Sequence, residues 1–153
     1  MEEIKRILVV SAMTKYCEKA VHYGVSLSQK YGAELTVLHV VHDPIIFWGW
    51  NLPIPSIEAE LKKTMEEAKK ELDAVIRAEK KKGVTIKELV REGKPADEIL
   101  RVVRDEKIDL IIMLAHEEGH LEHFLFGRSN EEIVRRMPCS VLLVKKEPEP
   151  VKF

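Results

Sequence analysis

The residues with the most chemistry to offer lie between Ile108 and Val144, in the run IDLIIMLAHEEGHLEHFLFGRSNEEIVRRMPCSVLLV. His116, His120 and His123 place three imidazoles within eight residues, with Glu117, Glu118 and Glu122 among them. Imidazole and carboxylate together suit a divalent metal such as Zn, Ni or Cu. The other reading is a solvated loop whose histidines titrate between about pH 5 and 8. His116-Glu117-Glu118-Gly119-His120 also spells His-Glu-x-x-His, which in zinc peptidases needs both histidines on one helical face. A glycine inside the motif and an apolar strand just before it remove that helix, so zinc hydrolysis is not expected. Beyond the histidines, Gly127, Arg128 and Ser129 open a short helix. Free backbone N–H groups and the helix dipole favour an anion there, and a guanidinium at Arg128 could hold a phosphate bidentately. Ser129 with Glu132 fits a capping box instead, which would satisfy that helix end internally.

These residues must be positioned by the elements around them. Ile4 to Val10 (IKRILVV), Glu34 to Val41 (ELTVLHVV), Val84 to Val90 (VTIKELV), Ile108 to Met113 (IDLIIM) and Ser140 to Val144 (SVLLV) are short β-rich runs, each read as a strand. Between them come helical stripes. Cys17, Ala20, Val21, Gly24, Leu27 and Tyr31 mark the first, with Gly32 where it would stop. Ile57, Leu61, Met65, Ala68, Leu72 and Val75 mark a long second helix to about Lys82, and Pro95 starts a third that buries Ala96, Ile99, Leu100 and Val103. His22 and His39 are read as helix and strand positions rather than as ligands. Five strands alternating with four helices predict an α/β domain with a mainly parallel sheet covered on both faces. His42 to Ser56 contains three prolines and both tryptophans and continues neither element. It is either a flap over its own core or an apolar patch for a partner or ligand.

A chain of 153 residues suits one domain. With 25 basic against 26 acidic residues there is no positive excess to hold nucleic acid. Cys17 and Cys139 lie far apart without a Cys-x-x-Cys spacing, which fits reduced thiols in a cytosol. No apolar run approaches the roughly 18 residues that span a bilayer, and MEEIKRILVV lacks a secretory core, so a cytoplasmic protein without membrane contact is expected. The lysine and glutamate bias, with one glutamine and two asparagines, points to a hot-growing source.

Five segments carry a family resemblance in order along the chain: Gly32 to Val41, Gly93 to Leu100 (GKPADEIL), Ile108 to Met113, the lone Gly127, and Pro138 to Lys145 (PCSVLLVK). Together they resemble the universal stress protein family. The resemblance implies a single three-layer, Rossmann-like domain of the adenine nucleotide alpha hydrolase-like type, with sheet order 3-2-1-4-5. It would occupy residues 1–146, leaving 147–153 as a C-terminal tail. It further implies a homodimer paired through the last strand, Ser140 to Val144, and protein partners in a stress-response, non-enzymatic binding or signalling role.

Many members of that family bind ATP where the first and fourth strands part, using Gly-x2-Gly-x9-Gly-Ser/Thr after the fourth strand and an aspartate after the first. Here the two inner glycines fall at Leu114 and Glu117, the Ser/Thr at Arg128, and the aspartate at Ala12. The positions implied for a ligand are Val10, Val40, Met113, His116, Gly127, Arg128 and Ser129. Glycine lets backbone approach phosphate without a Cβ in the way, and a carboxylate at Glu117 would repel a triphosphate. A degenerate ATP loop is expected, with no required cofactor and at most slow ATP hydrolysis. The alternatives are ATP or another phosphate ligand held by Arg128 and Ser129, and a divalent metal at His116, His120 and His123.

Overall fold

The computed structural model describes residues 3–11, 17–41, 55–115 and 128–145. The histidines His116, His120 and His123, the glycine Gly127 and the apolar loop up to Ile54 lie outside them. Among the described residues the chain runs β1 (Arg6–Ser11), α1 (Cys17–Tyr31), β2 (Glu34–Val41), α2 (Pro55–Lys81), β3 (Ile86–Glu92), α3 (Pro95–Asp105), β4 (Leu110–Leu114), α4 (Arg128–Arg136) and β5 (Ser140–Val144). All four strand pairings are parallel, and the order is β3-β2-β1-β4-β5.

The central strands β1 and β4 read as nearly unbroken apolar runs because successive side chains enter two different cores. Ile7, Val9, Leu35, Val37 and Ile112 face one side, where Ala20, Val21 and Val25 of α1 and Leu72 and Ile76 of α2 cover them. Leu8, Val10, Leu38, Val40, Ile111 and Met113 face the other, beneath Ile99, Val102 and Val103 of α3 and Ile133 of α4. Gly24 sets how closely α1 approaches the sheet. A Cβ there would meet the Val9 Cγ2 at 2.5 Å, and β-branched Val9 is fully buried and stiff. Gly32 ends α1 as the sequence predicts, at φ 63°.

Three strands start later than their apolar runs. At the bottom of the sheet the Asp109 carboxylate accepts hydrogen bonds from the backbone N–H of Lys5 and of Arg6, both at 2.8 Å, and the Asp109 N–H donates to the Arg6 carbonyl at 2.9 Å. β1 begins at Arg6, paired with Glu34 of β2, and β4 begins at Leu110, paired with Ile7, next to these contacts. Ile108 is buried in the core without belonging to the strand. Val84 likewise packs against the core ahead of β3.

The two sheet edges differ. On β3, Lys87, Glu88, Arg91 and Glu92 are exposed, along with Val90. On β5, Ser140 and Leu143 are exposed and Val141 and Leu142 half-buried, so that edge carries no charged side chain. No helix among the described residues is long and apolar enough to cross a membrane.

Candidate functional site

β1 and β4 are neighbours in the sheet, yet the chain leaves them in opposite directions, to α1 on one face and towards α4 on the other. The crevice outside their C-terminal ends is where ligands bind in open α/β sheets. Of the positions expected there, Val10, Val40 and Met113 come together. They share the core beneath α3 and α4, and none is more than 7% exposed. They come from three adjacent strands, β1, β2 and β4.

Leu114 and the start of α4 form the next part. Leu114 ends β4, is half-buried, and packs against the opposite core, the one beneath α1 and α2. Its carbonyl accepts a hydrogen bond from the Asn130 side-chain amide at 3.0 Å, and Ala115 donates to the Val144 carbonyl at 2.7 Å. The first turn of α4 is thereby tied to the end of β4. The position that the nucleotide pattern reserves for glycine is instead a side chain anchored in the core.

Ser129 does not hold the N-cap position that a capping box with Glu132 requires. Helix α4 already includes Arg128, so Ser129 is its second residue rather than its cap. Glu132 turns instead to two cations, Arg136 at 3.1 Å and Lys94 at 3.8 Å. An i,i+4 partner and a lysine at the start of α3 take its carboxylate, which pairs more strongly with a cation than with a neutral amide. The backbone of Arg128 and Ser129 is helical; the Gly127 and His116 expectations lie outside the described residues.

Away from the crevice, burial pushes the Cys139 thiol up, a backbone hydrogen bond from Ile111 partly offsets this, and nearby Asp109 adds to it. A thiol held in its neutral form is a poor nucleophile, in keeping with a reduced, unreactive cysteine. His22 is a helix position as expected, 3.5 Å from the buried carboxylate of Glu79. His39 is a strand position as expected. It is also drawn close to Asp73 of α2 and Glu88 of β3, all three ligand atoms lying within 4.8 Å of one another. No spacing in the chain announced this group, because its members are 34 and 15 residues apart. A cleft of about 560 Å³ lined by Arg6, Glu34, Lys82, Lys87 and Glu106 opens at the other end of the sheet, the wrong end for a ligand in this topology.

The same order of elements and the same sheet are found in known proteins. Residues 3–145 match the Universal stress protein family. A universal stress protein of Thermus aquaticus is 31% identical, over 92% of this chain and 98% of its own. The universal stress protein MJ0577 of Methanocaldococcus jannaschii is 27% identical, over 94% of this chain and 96% of its own. Its solved structure superposes with a TM-score of 0.69, covering 97% of this chain and all of that one. An Arabidopsis thaliana family protein solved with AMP bound shares the fold at a TM-score of 0.61 and 14% identity, covering 97% of this chain and 95% of its own. With a match across nearly its whole length and the sheet order that the resemblance implied, the chain belongs to the universal stress protein family.

Proposed function

We propose that this protein is a non-enzymatic stress-response module whose ATP loop has degenerated and which works through protein partners as a homodimer. The observation that carries the reading is Leu114. Leu114 stands where the nucleotide pattern has its first glycine, and a Cβ at that position hinders the approach of backbone to phosphate; its side chain packs against the core beneath α1 and α2, and its carbonyl is engaged by Asn130. Glu117 stands where the nucleotide pattern has its second glycine, and a carboxylate at that position would repel a triphosphate. At most slow ATP hydrolysis belongs to this reading. Protein purified without added nucleotide is expected to show no nucleotide by mass spectrometry and no excess absorbance at 260 nm. Co-purifying ATP would overturn the closed-site reading.

The start of α4 favours a second reading. Glu132 is paired with Lys94 and Arg136, and Arg128 and Ser129 are residue types suited to a phosphate-bearing ligand at a helix N-terminus. AMP or ATP retained by the wild type and lost in Arg128→Ala would establish it in place of the first.

Strand β5 supports the homodimer. An uncharged edge strand with Leu143 47% exposed is a template for pairing with another strand. Two copies meeting edge to edge would extend the sheet through both. Leu143→Lys is expected to convert a dimer to a monomer in sedimentation analysis while leaving the circular dichroism spectrum unchanged; a variant that sediments as the wild type does would place the contact elsewhere.

A further inference from the structure

We propose that His39, Asp73 and Glu88 form a binding site for a divalent first-row transition ion, Zn2+ being the best match, which joins α2 to β2 and β3. The site lies on the opposite face of the sheet from Val10, Val40 and Met113 and does not depend on the function proposed above.

Its placement follows from the sheet register. His39 pairs with Val90 of β3, and Glu88 pairs with Val37, so Glu88 is a diagonal neighbour of His39 on the same face of the sheet. That face is the one covered by α2, where Leu72 and Ile76 enter the core and Asp73 directly follows Leu72. Three separate elements therefore bring one ligand atom each to within 4.8 Å of the others. Ligand atoms around a tetrahedral Zn2+ with bonds of about 2.0–2.2 Å sit roughly 3.3 Å apart. The two carboxylates must close in by about an ångström. Asp73 has 32% of its side chain exposed and Glu88 is exposed, so both have the freedom to do so.

The imidazole is what asks for an ion. His39 is 1% exposed, and neither its Nδ1 nor its Nε2 has a hydrogen-bond partner. Buried polar nitrogens in native proteins are almost always satisfied. Burial pushes the His39 pKa down, against the opposing pull of Asp73 and Glu88, so the ring is in the neutral form that ligates metal. The rival arrangement is a plain ion pair, since the Lys69 ammonium lies 2.9 Å from Asp73. That pair satisfies one carboxylate and leaves both ring nitrogens unbonded. A divalent ion would satisfy a ring nitrogen and both carboxylates together, displacing the lysine. One imidazole with two carboxylates suits Zn2+ and its neighbours, whereas Mg2+ and Ca2+ prefer oxygen alone.

The test uses full-length protein carrying His116→Ala, His120→Ala and His123→Ala, which removes the loop imidazoles, after stripping with a chelator. Calorimetric titration with ZnCl2 is expected to show one site, weakened at least tenfold by Asp73→Asn or Glu88→Gln. Lys69→Met should tighten it several-fold, because the competing ammonium is gone. Both carboxylate variants change solvent-reaching side chains, and their folding is checked by circular dichroism. In the 15N spectrum a ring nitrogen of His39 should shift on adding Zn2+ and not on adding Mg2+. Absence of a site in this background, equal affinity in Asp73→Asn and Glu88→Gln, or an unmoved His39 signal would each overturn the proposal.

Discussion

Asp109→Ala is expected to destabilise the fold by about 2–4 kcal/mol, taking each charge-assisted hydrogen bond as about 1.5–3 kcal/mol and discounting the exposed one. One carboxylate serves two backbone donors, at Lys5 and Arg6, more than 100 residues away in sequence. Alanine would leave the part-buried Arg6 N–H without its acceptor at the point where β1 and β4 begin. For a chain of this length such a loss corresponds to a fall in Tm of roughly 5–15 °C. Asp109→Asn keeps an acceptor oxygen without the charge and should lose about half as much. Chemical denaturation of the three proteins checks both values; a change under 1 kcal/mol for alanine would mean that water replaces the carboxylate without loss.

The second large effect concerns the crevice. Replacing Leu114 and Glu117 together by glycine is expected to raise ATP affinity by at least tenfold. Removing the Leu114 side chain lets backbone approach phosphate, and removing the Glu117 carboxylate takes away a repulsion on the order of several kcal/mol. The exchange also costs stability, because half-buried Leu114 packs against the core beneath α1 and α2. Affinity is therefore measured below the lowered Tm, by calorimetry with ATP. An unchanged affinity would mean that the path of the loop, and not these two side chains, closes the site.

How much of this was legible in the sequence depended on how local its cause was. β2 and β5 span the residues expected of them, Glu34 to Val41 and Ser140 to Val144, since Gly32 and Pro138 punctuate the chain just before each. The starts of β1 and β4 were missed by two residues. There the first ladder pairs, Arg6 with Glu34 and Ile7 with Leu110, join distant parts of the chain. Apolar pattern reports burial, and Ile108 is indeed buried; it does not report which buried residue joins a ladder. α2 likewise begins at Pro55, two residues before its apolar stripe, because proline is accommodated in a first turn.

The site divides in the same way. Val10, Val40 and Met113 were expected from the family resemblance, and the three lie in one buried core on neighbouring strands. Ser129 and Glu132 had the spacing of a capping box, but the motif is silent about Lys94, which reaches Glu132 from another helix. His39 looked like an ordinary strand residue. Its carboxylate neighbours arrive from a helix and a strand that the linear order keeps apart, so only the folded chain shows them as a group.

The unlike edges of the sheet bear on how far assembly can go. If both edges were bare and apolar, β5 of one copy could add to β3 of the next, and the series would have no natural end. Lys87, Glu88, Arg91 and Glu92 make β3 a poor acceptor, because adding a strand there would strip water from a row of charges. Pairing of β5 with its own copy uses the same surface twice and leaves no further β5 exposed. Growth would then terminate at two subunits, with the charged β3 edges facing solvent at either end of a ten-stranded sheet.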